Sequence, residues 1–451
     1  MIASTTHRHE PRRQQALRAA ARARFQAPLT DDAPRPTLAD IFRRYARRYR
    51  RQYGWRLTPQ QDRALREIEV CRTRVLGGHV EQCAECRHAE YHWNSCRNRH
   101  CPRCGGYRRH QWYEDRLAEM LVTPYAHLVF TLPETLSELA EHNGPLIYNL
   151  LFTAASQALL YVARTWTHLK VDTGFIAVLH SWGQLLLIHI HCHILWPLGG
   201  LTLDGTAWRS LPHRVKLPKA ELRKEFRTRF LDGLQKASDR GELVLTGRHG
   251  HLLSPQRFAQ WIAGLRACYW NIHAERVERE HAPEQTPAEA ARCTLGYLAA
   301  YANGVALHND RLLAIEDDHV VFSYKDYRNH GRQEIARVPA LEFIDRFLLH
   351  VLPRHVRRIR NYGFLAPNQR GEKLPLIRQL LGMPELGSAP EDAEPLPEEQ
   401  EGADAEGSAI GRPCPVCQVG VLLVISWPRP SIAQITQLPL EQLRQSRLPF
   451  Q

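Results

Sequence analysis

The sequence predicts an α+β protein: a helical, cysteine-rich N-terminal part, then an antiparallel sheet with helices packed against it. Three observations predict this. Helix-opening signals at Thr37 and Thr58 stand ahead of amphipathic runs and of a Cys/His cluster between 71 and 104. Short apolar runs at 127–132, 174–180 and 185–195 read as strands. Helical patterns lie between and after them, at 146–166, 286–303 and 341–352, rather than alternating one for one with the strands.

Taken in order, residues 1–36 are rich in Arg, Ala, Gln and Pro and read as a basic arm. Thr37 caps a helix with Leu38, Ile41, Phe42 and Tyr45 on one face and Arg43, Arg44, Arg47 and Arg48 on the other. Thr58, Pro59 and Gln61 form a capping-box start for a second helix. After the Cys/His cluster come a helix, the buried strand His127–Leu132, a helix over 146–166 and two strands joined by a turn near Trp182-Gly183. Residues 201–290 alternate turns with basic helices. Thr286, Pro287 and Glu289 open a helix that Asn303-Gly304 should end. Short strands follow at 311–325, then an apolar helical stripe from Leu341 to Leu352 stopped by Pro353. An acidic, Pro/Gly-rich linker occupies 385–410.

The bulk numbers narrow the function classes. The 451 residues leave room for two or three domains, and 43% hydrophobic residues suffice for a core. The net charge is +13, although residues 391–406 carry eight acids and no base. The remainder then holds about +21, a bias toward a polyanion such as nucleic acid. The best apolar stretch, Leu185–Pro197, is interrupted by His189, His191 and His193, so no membrane span is expected. The Arg-rich start lacks the apolar segment of a secretory signal, which points to the cytoplasm. In a reducing compartment the eleven cysteines read as metal ligands rather than disulfides.

Six of those cysteines lie between Cys71 and Cys104. The simplest tetrahedral set for zinc is Cys83, Cys86, Cys101 and Cys104, two CxxC turns facing one ion. Cys71, His79, Cys96 and His100 remain for a second zinc, with His88 and His92 as substitutes. The expected content is about two structural zinc ions per chain. Cys414 and Cys417 form half of a further ribbon with no Cys or His after them. That half-ribbon is degenerate, borrows ligands, or pairs between two chains. Arg97, Arg99 and Arg103 surround the ligands and suit DNA phosphates.

The second constellation is His189-Ile190-His191-Cys192-His193, in which strand alternation puts all three imidazoles on one face. One such histidine is usually a core residue; three at alternate positions suit a metal. Tyr297 and Tyr301, at i and i+4, share a helix face. Alone, that pair reads as core packing. Beside a metal it reads as chemistry, because a phenolate can attack a phosphodiester and become covalently linked to it. Arg311 and Lys325 are further candidates for phosphate contacts.

Several blocks together resemble the insertion sequence 91 transposase family. They are Ser95–Cys104, His127–Pro133, Leu179–Gln184, the histidine strand, Tyr297 with Tyr301, Glu342-Phe343 and Arg358–Phe364. The resemblance covers about residues 37–380. It implies a nuclease-type antiparallel sheet with a histidine–hydrophobic–histidine motif (HUH), His191 and His193 as ligands for Mg²⁺ or Mn²⁺, and Tyr297 and Tyr301 as nucleophiles. The third ligand stays open between Gln184 and His189, with His180 behind them. Arg358 and Arg360 join the DNA-binding set. Ile190 stands where the family often has Pro, and Gly304 where it commonly has Arg.

The expected organisation is a basic arm (1–36), a zinc- and DNA-binding domain (37–115), a catalytic domain (116–384), the acidic linker (385–410) and a C-terminal segment (411–451). The implied activity is nicking and transfer of single-stranded DNA through a 5′-phosphotyrosine, moving an insertion sequence in a rolling-circle manner in the bacterial nucleoid. A plasmid replication initiator or relaxase, and a zinc-dependent DNA-binding protein that does not cut, are the competing readings.

Overall fold

The structure is a computed structural model, and it describes residues 35–277, 295–296, 305–384 and 412–426. Of the expected helix over 286–303 only residues 295–296 are described, both helical; Tyr297 and Tyr301, the linker, nearly all of the basic arm and residues 427–451 lie outside the described residues.

Both N-terminal helices begin as the sequence predicts. At the start of α1 (Leu38–Tyr53) the Thr37 side chain accepts from the Asp40 amide, and the Asp40 carboxylate accepts from the Thr37 amide. At α2 (Pro59–Glu69), Thr58 and Gln61 exchange the same pair of bonds. The hairpin β1 (Gly78–Cys83) and β2 (Ala89–Trp93) follows, then α3 (Gly105–Glu119).

After β3 (Tyr125–Thr131) runs α4 (Glu134–Thr165), longer at its start than expected. Asn143 leaves helical geometry two residues before Pro145, which kinks the helix. The Asn143 side chain compensates by bonding Leu139 O, Val244 O and Val244 N. By length and composition α4 could cross a membrane, although polar residues interrupt its apolar run. Its Leu151, Phe152 and Leu159 are nevertheless fully packed inside the protein core.

Next come β4 (Val171–Asp172), β5 (Gly174–Trp182), β6 (Ile188–Pro197), β7 (Gly199–Thr202) and β8 (Trp208–Ser210). Helices α5 (Lys219–Asp239) and α6 (Pro255–Ala267) lead to β9 (Ile272–Arg276). The C-terminal half adds β10 (Leu312–Glu316), β11 (His319–Asp326), β12 (Arg332–Pro339) and α7 (Ala340–Leu348). It continues with β13 (Ile359–Gly363), α8 (Pro367–Leu380) and, past the linker, β14 (Leu422–Ser426).

The central sheet has the order β13-β5-β6-β3-β9, with every neighbour antiparallel. Its two faces differ sharply. One carries Phe175, Ala177, Leu179, Ile190, Cys192, Ile194, Trp196, Leu128 and Phe130 into the main core beneath α4, α5 and α6. The edge-on contact of Phe130 with Phe226 of α5, with ring centroids 5.0 Å apart, marks that junction. The other face carries Tyr125, Ile176, Val178 and Leu195, packed at one end against Met120, Leu121, Leu374 and Ile377. β13 reaches β5 through a close turn at Gly363 (φ 61°), where a Cβ would stand 1.8 Å from the Thr173 carbonyl oxygen.

A second core joins the N-terminal helices to the three-stranded sheet β10-β11-β12 and to α7. Phe42 meets Phe347 edge-on at 5.6 Å, and Tyr49 Oη donates to Asp345 at 2.8 Å. Segments far apart in the chain therefore share one apolar interior. The α+β class holds; β12 and α8 carry no strong period in the sequence and appear only here.

Candidate functional site

Four cysteines from three places meet behind α2. Cys71 ends the turn after that helix, Cys96 follows β2, and Cys101 and Cys104 precede α3. The Sγ–Sγ separations are 3.4 Å (Cys71–Cys104), 3.5 Å (Cys96–Cys104) and 3.7 Å (Cys71–Cys101). A zinc–thiolate tetrahedron has edges of about 3.8 Å, so the donors fit that ion. The second set is Cys83, Cys86, Cys414 and Cys417, with Cys83–Cys417 and Cys86–Cys414 each 3.6 Å apart. Here the half-ribbon borrows its missing ligands from the β1–β2 turn, and β14 pairs with β1 to seat it. Gly420 is required there, since a Cβ would lie 2.5 Å from Cys83 Sγ.

This corrects the expected grouping. Cys83 and Cys86 do not share a set with Cys101 and Cys104, and neither His79 nor His100 joins a thiolate cluster. His100 is buried, with Arg99 Nε donating to its Nε2 at 3.3 Å, and burial holds its imidazole well below the usual range. His79 lies on β1 beside Glu81 and His92.

The sequence reading missed a repeated backbone device. The residue after Cys71, Cys86, Cys96 and Cys417 is in each case left-handed: Arg72 (φ 57°), Arg87 (φ 59°), Arg97 (φ 53°) and Gln418 (φ 57°). Such turns aim backbone N–H groups at sulfur, as Gly420 N does toward Cys417 across Gln418 (3.3 Å). Three of the four turns thereby hold an exposed arginine beside a thiolate cluster. The signal was the Cys-Arg dipeptide, which carries no meaning until the turn is known.

The histidine face of the central sheet is built by register. His191 on β6 pairs with His180 on β5, and His193 pairs with Val178. Ring nitrogens of His180, His191 and His193 all lie within 4.8 Å of one another. His127 on β3 extends the group, its Nε2 lying 2.9 Å from His193 Nδ1 and its ring stacked at 5.1 Å. His273 on β9 meets His127 edge-on at 6.0 Å. Burial, with the neighbouring imidazoles second, pushes His191 down to about 3 and His193 further down. Burial likewise pushes His127 down to about 4. These rings are neutral near neutral pH, the state in which imidazole binds a cation.

Of the expected third ligands, the structure groups His180 with the pair. His189 is exposed and lies outside the trio; its ring sits 5.0 Å from His191, and its carbonyl oxygen accepts from His191 Nδ1 at 2.8 Å. Gln184 faces elsewhere: its Oε1 accepts from the Lys325 amide and its carbonyl oxygen from Arg311. His180 was underweighted because its place opposite His191 depends on cross-strand register, which spacing along one strand does not reveal.

The expected DNA-contact residues divide. Arg97, Arg103 and the Lys325 side chain are exposed. Arg99 donates to the carbonyls of Leu352, Pro353 and Val356. Arg311 donates to Ser323 O and Gln184 O, and burial pushes it down to about 10. Arg358, also pushed to about 10 by burial, lies 5.4 Å over Trp182, which stacks on His180 at 4.5 Å. Arg360 points to the opposite face of the sheet, against Asn149 and Phe152 of α4. Tyr297 and Tyr301 lie outside the described residues, but Leu295 is fully buried in the cluster that covers the histidine-bearing face.

Fold and site define a basic α+β protein with two zinc-type thiolate centres beside a sheet bearing clustered histidines. Residues 174–373 match the family model described as "Putative transposase", and residues 41–132 match that of the "Transposase zinc-binding domain". The chain is 43% identical over 394 residues (86% of this chain, 95% of the relative) to "Putative transposase y4qJ" of Sinorhizobium fredii (strain NBRC 101917 / NGR234). It is 29% identical over 341 residues (73% of this chain, 78% of the relative) to the "Transposase for insertion sequence element IS801" of Pseudomonas savastanoi pv. phaseolicola. The chain belongs to the insertion sequence 91 family of transposases.

Proposed function

We propose that the chain nicks single-stranded DNA at the ends of its own element and transfers the strand through a 5′-phosphotyrosine, in rolling-circle transposition. The observation that carries this reading is the convergence of His180, His191 and His193 on one face of the central sheet. Three converging imidazoles suit a divalent cation, and this nitrogen set favours Mn²⁺ over the harder Mg²⁺. Such an ion supplies Lewis-acid stabilisation of charge on the scissile phosphate.

The protein's own groups have distinct tasks. His127 Nε2 holds His193 Nδ1, which fixes the ring and leaves the other nitrogen to face the cluster. Tyr297 and Tyr301 are the nucleophiles: the phenolate oxygen bonds to phosphorus, the P–O3′ bond breaks, and the 3′-oxygen takes up a proton. The ester keeps the phosphodiester energy, so rejoining needs no nucleotide, and two tyrosines allow two successive cleavages. Leu295, two residues before Tyr297, is buried in the same apolar cluster as Tyr125, Ile176, Val178 and Leu195 of the histidine-bearing face, which supports bringing this segment to that face. The thiolate modules, with Arg72, Arg87, Arg97 and Arg103 exposed around them, grip the phosphate backbone.

A labelled single-stranded oligonucleotide carrying an element end tests the reading. The wild type should leave a covalent protein–DNA adduct that requires Mn²⁺ or Mg²⁺. Tyr297→Phe with Tyr301→Phe should abolish the adduct while binding persists, and a surviving adduct would point to another nucleophile. His191→Ala with His193→Ala should cut the rate to about one hundredth or less with the thiolate-bound zinc unchanged.

A further inference from the structure

The β1–β2 hairpin carries a group of ligand-type side chains that neither the thiolate clusters nor the histidine face uses. His79 pairs with His92 across the hairpin, and Glu81 pairs with Glu90. Because residues two apart on a strand share a face, all four stand together on one side. His79 Nε2 lies 3.7 Å from Glu81 Oε1, and His92 Nε2 lies 3.6 Å from Glu81 Oε2 and from Glu90 Oε2. The two imidazoles are stacked, 5.0 Å between centroids and 20° apart, so both present a nitrogen to the same carboxylate. His92 Nε2 is shielded from solvent and has no hydrogen-bond partner.

We propose that His79, Glu81 and His92 form a third metal site in the N-terminal module, for a zinc-class divalent cation. The donors are borderline nitrogens plus a carboxylate, the set that zinc takes at about 2.0–2.2 Å. A tetrahedron of that size has edges of about 3.4 Å; the His79 Nε2–Glu81 Oε1 separation of 3.7 Å exceeds it by a few tenths of an ångström, and one ligand atom from each of the three residues lies within 4.8 Å of the others. The three protein ligands leave a fourth position for water or for Glu90. Arg412, just before the Cys414 knuckle, binds Glu81 Oε2 at 2.7 Å and also Glu90. It leaves Glu81 Oε1 to the ion and ties the site to the β14 segment. The neighbouring thiolate cluster uses the turn of the same hairpin, so one three-stranded sheet would hold two ions of different ligand type.

Zinc binding by the full-length chain is the test, in a His191→Ala/His193→Ala background that removes the other imidazole cluster. After saturation with Zn²⁺ and desalting, elemental analysis should give three equivalents, two thiolate-bound and one more. Adding His79→Ala with His92→Ala should leave two, with circular dichroism unchanged. The same third equivalent should be lost in Glu81→Gln, which keeps the side-chain shape if the alanine pair perturbs the hairpin. In the Co²⁺-loaded protein, the thiolate charge-transfer bands should stay while one equivalent without sulfur character disappears. Two equivalents in the parent, or three in both sets of variants, would overturn the site and mark the cluster as histidine–glutamate ion pairs only. Neither result bears on DNA cleavage.

Discussion

Burial sets the charge of the histidines, and His350, which is not itself in a metal-type cluster, shows the effect. Its Nε2–H donates to Leu186 O at 3.0 Å and its Nδ1 accepts from Ser181 Oγ at 3.2 Å, which satisfies the neutral ring. Desolvation, helped by the nearby Arg358 charge, pushes it down to about 4. An unfolded histidine titrates near 6.5, so above that pH both states are neutral and the ring exacts no penalty. As pH falls from 6.5 toward 4 the unfolded chain takes the proton first, and stability drops by an amount on the order of 3 kcal/mol. Replacing His350→Gln should flatten the dependence of denaturation midpoint on pH within that window. An unchanged slope would mean that His350 does not stay neutral in the folded protein.

At the scale of elements, the β1–β2 hairpin separates cysteines that are close in sequence and collects others that are distant. Its turn carries Cys83 and Cys86 away from Cys101 and Cys104, to meet Cys414 and Cys417. The pairing predicts that Cys414→Ser with Cys417→Ser removes one zinc equivalent and exposes the 412–426 segment to protease, whereas Cys101→Ser affects the other cluster. Loss of no zinc from the first variant would reject the pairing. Local rules were enough for the cap at Thr37 and the capping box at Thr58, for the buried strand His127–Leu132 and for the alternation of His191 with His193; that Asp40 completes a box with Thr37 appears only in the structure. They were not enough for the cysteine grouping or for His180. A CxxC turn fixes that two thiolates go together, but not which other two they meet; that depends on β14 pairing with β1 across a long linker. His180 needed the β5–β6 register. Arg360 needed strand parity: it pairs with Ala177, whose side chain faces α4.

Over the whole molecule, charge follows the same division. Much of the arginine that the sequence offers is used internally: Arg99, Arg311 and Arg378 bind main-chain carbonyls, and Arg50 joins Asp62 with Glu69. The net +13 is therefore a poor guide to the contact surface, and the acidic 391–406 stretch lowers it further. The arginines fixed beside the metal clusters are better placed. Arg72, Arg87 and Arg97 are exposed and their backbones are held by the knuckle turns, so little ordering of the chain is needed when they meet phosphate, although Arg72 also donates to the Trp93 carbonyl at 3.0 Å. Each contact with single-stranded DNA releases roughly 0.7 of a counterion. Arg72→Gln, Arg87→Gln and Arg97→Gln together should lower the slope of log K against log salt by about two. The loss should be similar for unrelated sequences, because phosphate contacts position the strand without reading it. Zinc content should stay at the parental value, since glutamine tolerates the left-handed turn position, as Gln418 does after Cys417. An unaltered slope in a variant that keeps its metal would move the DNA path off the left-handed turns, toward Arg103 and Lys325.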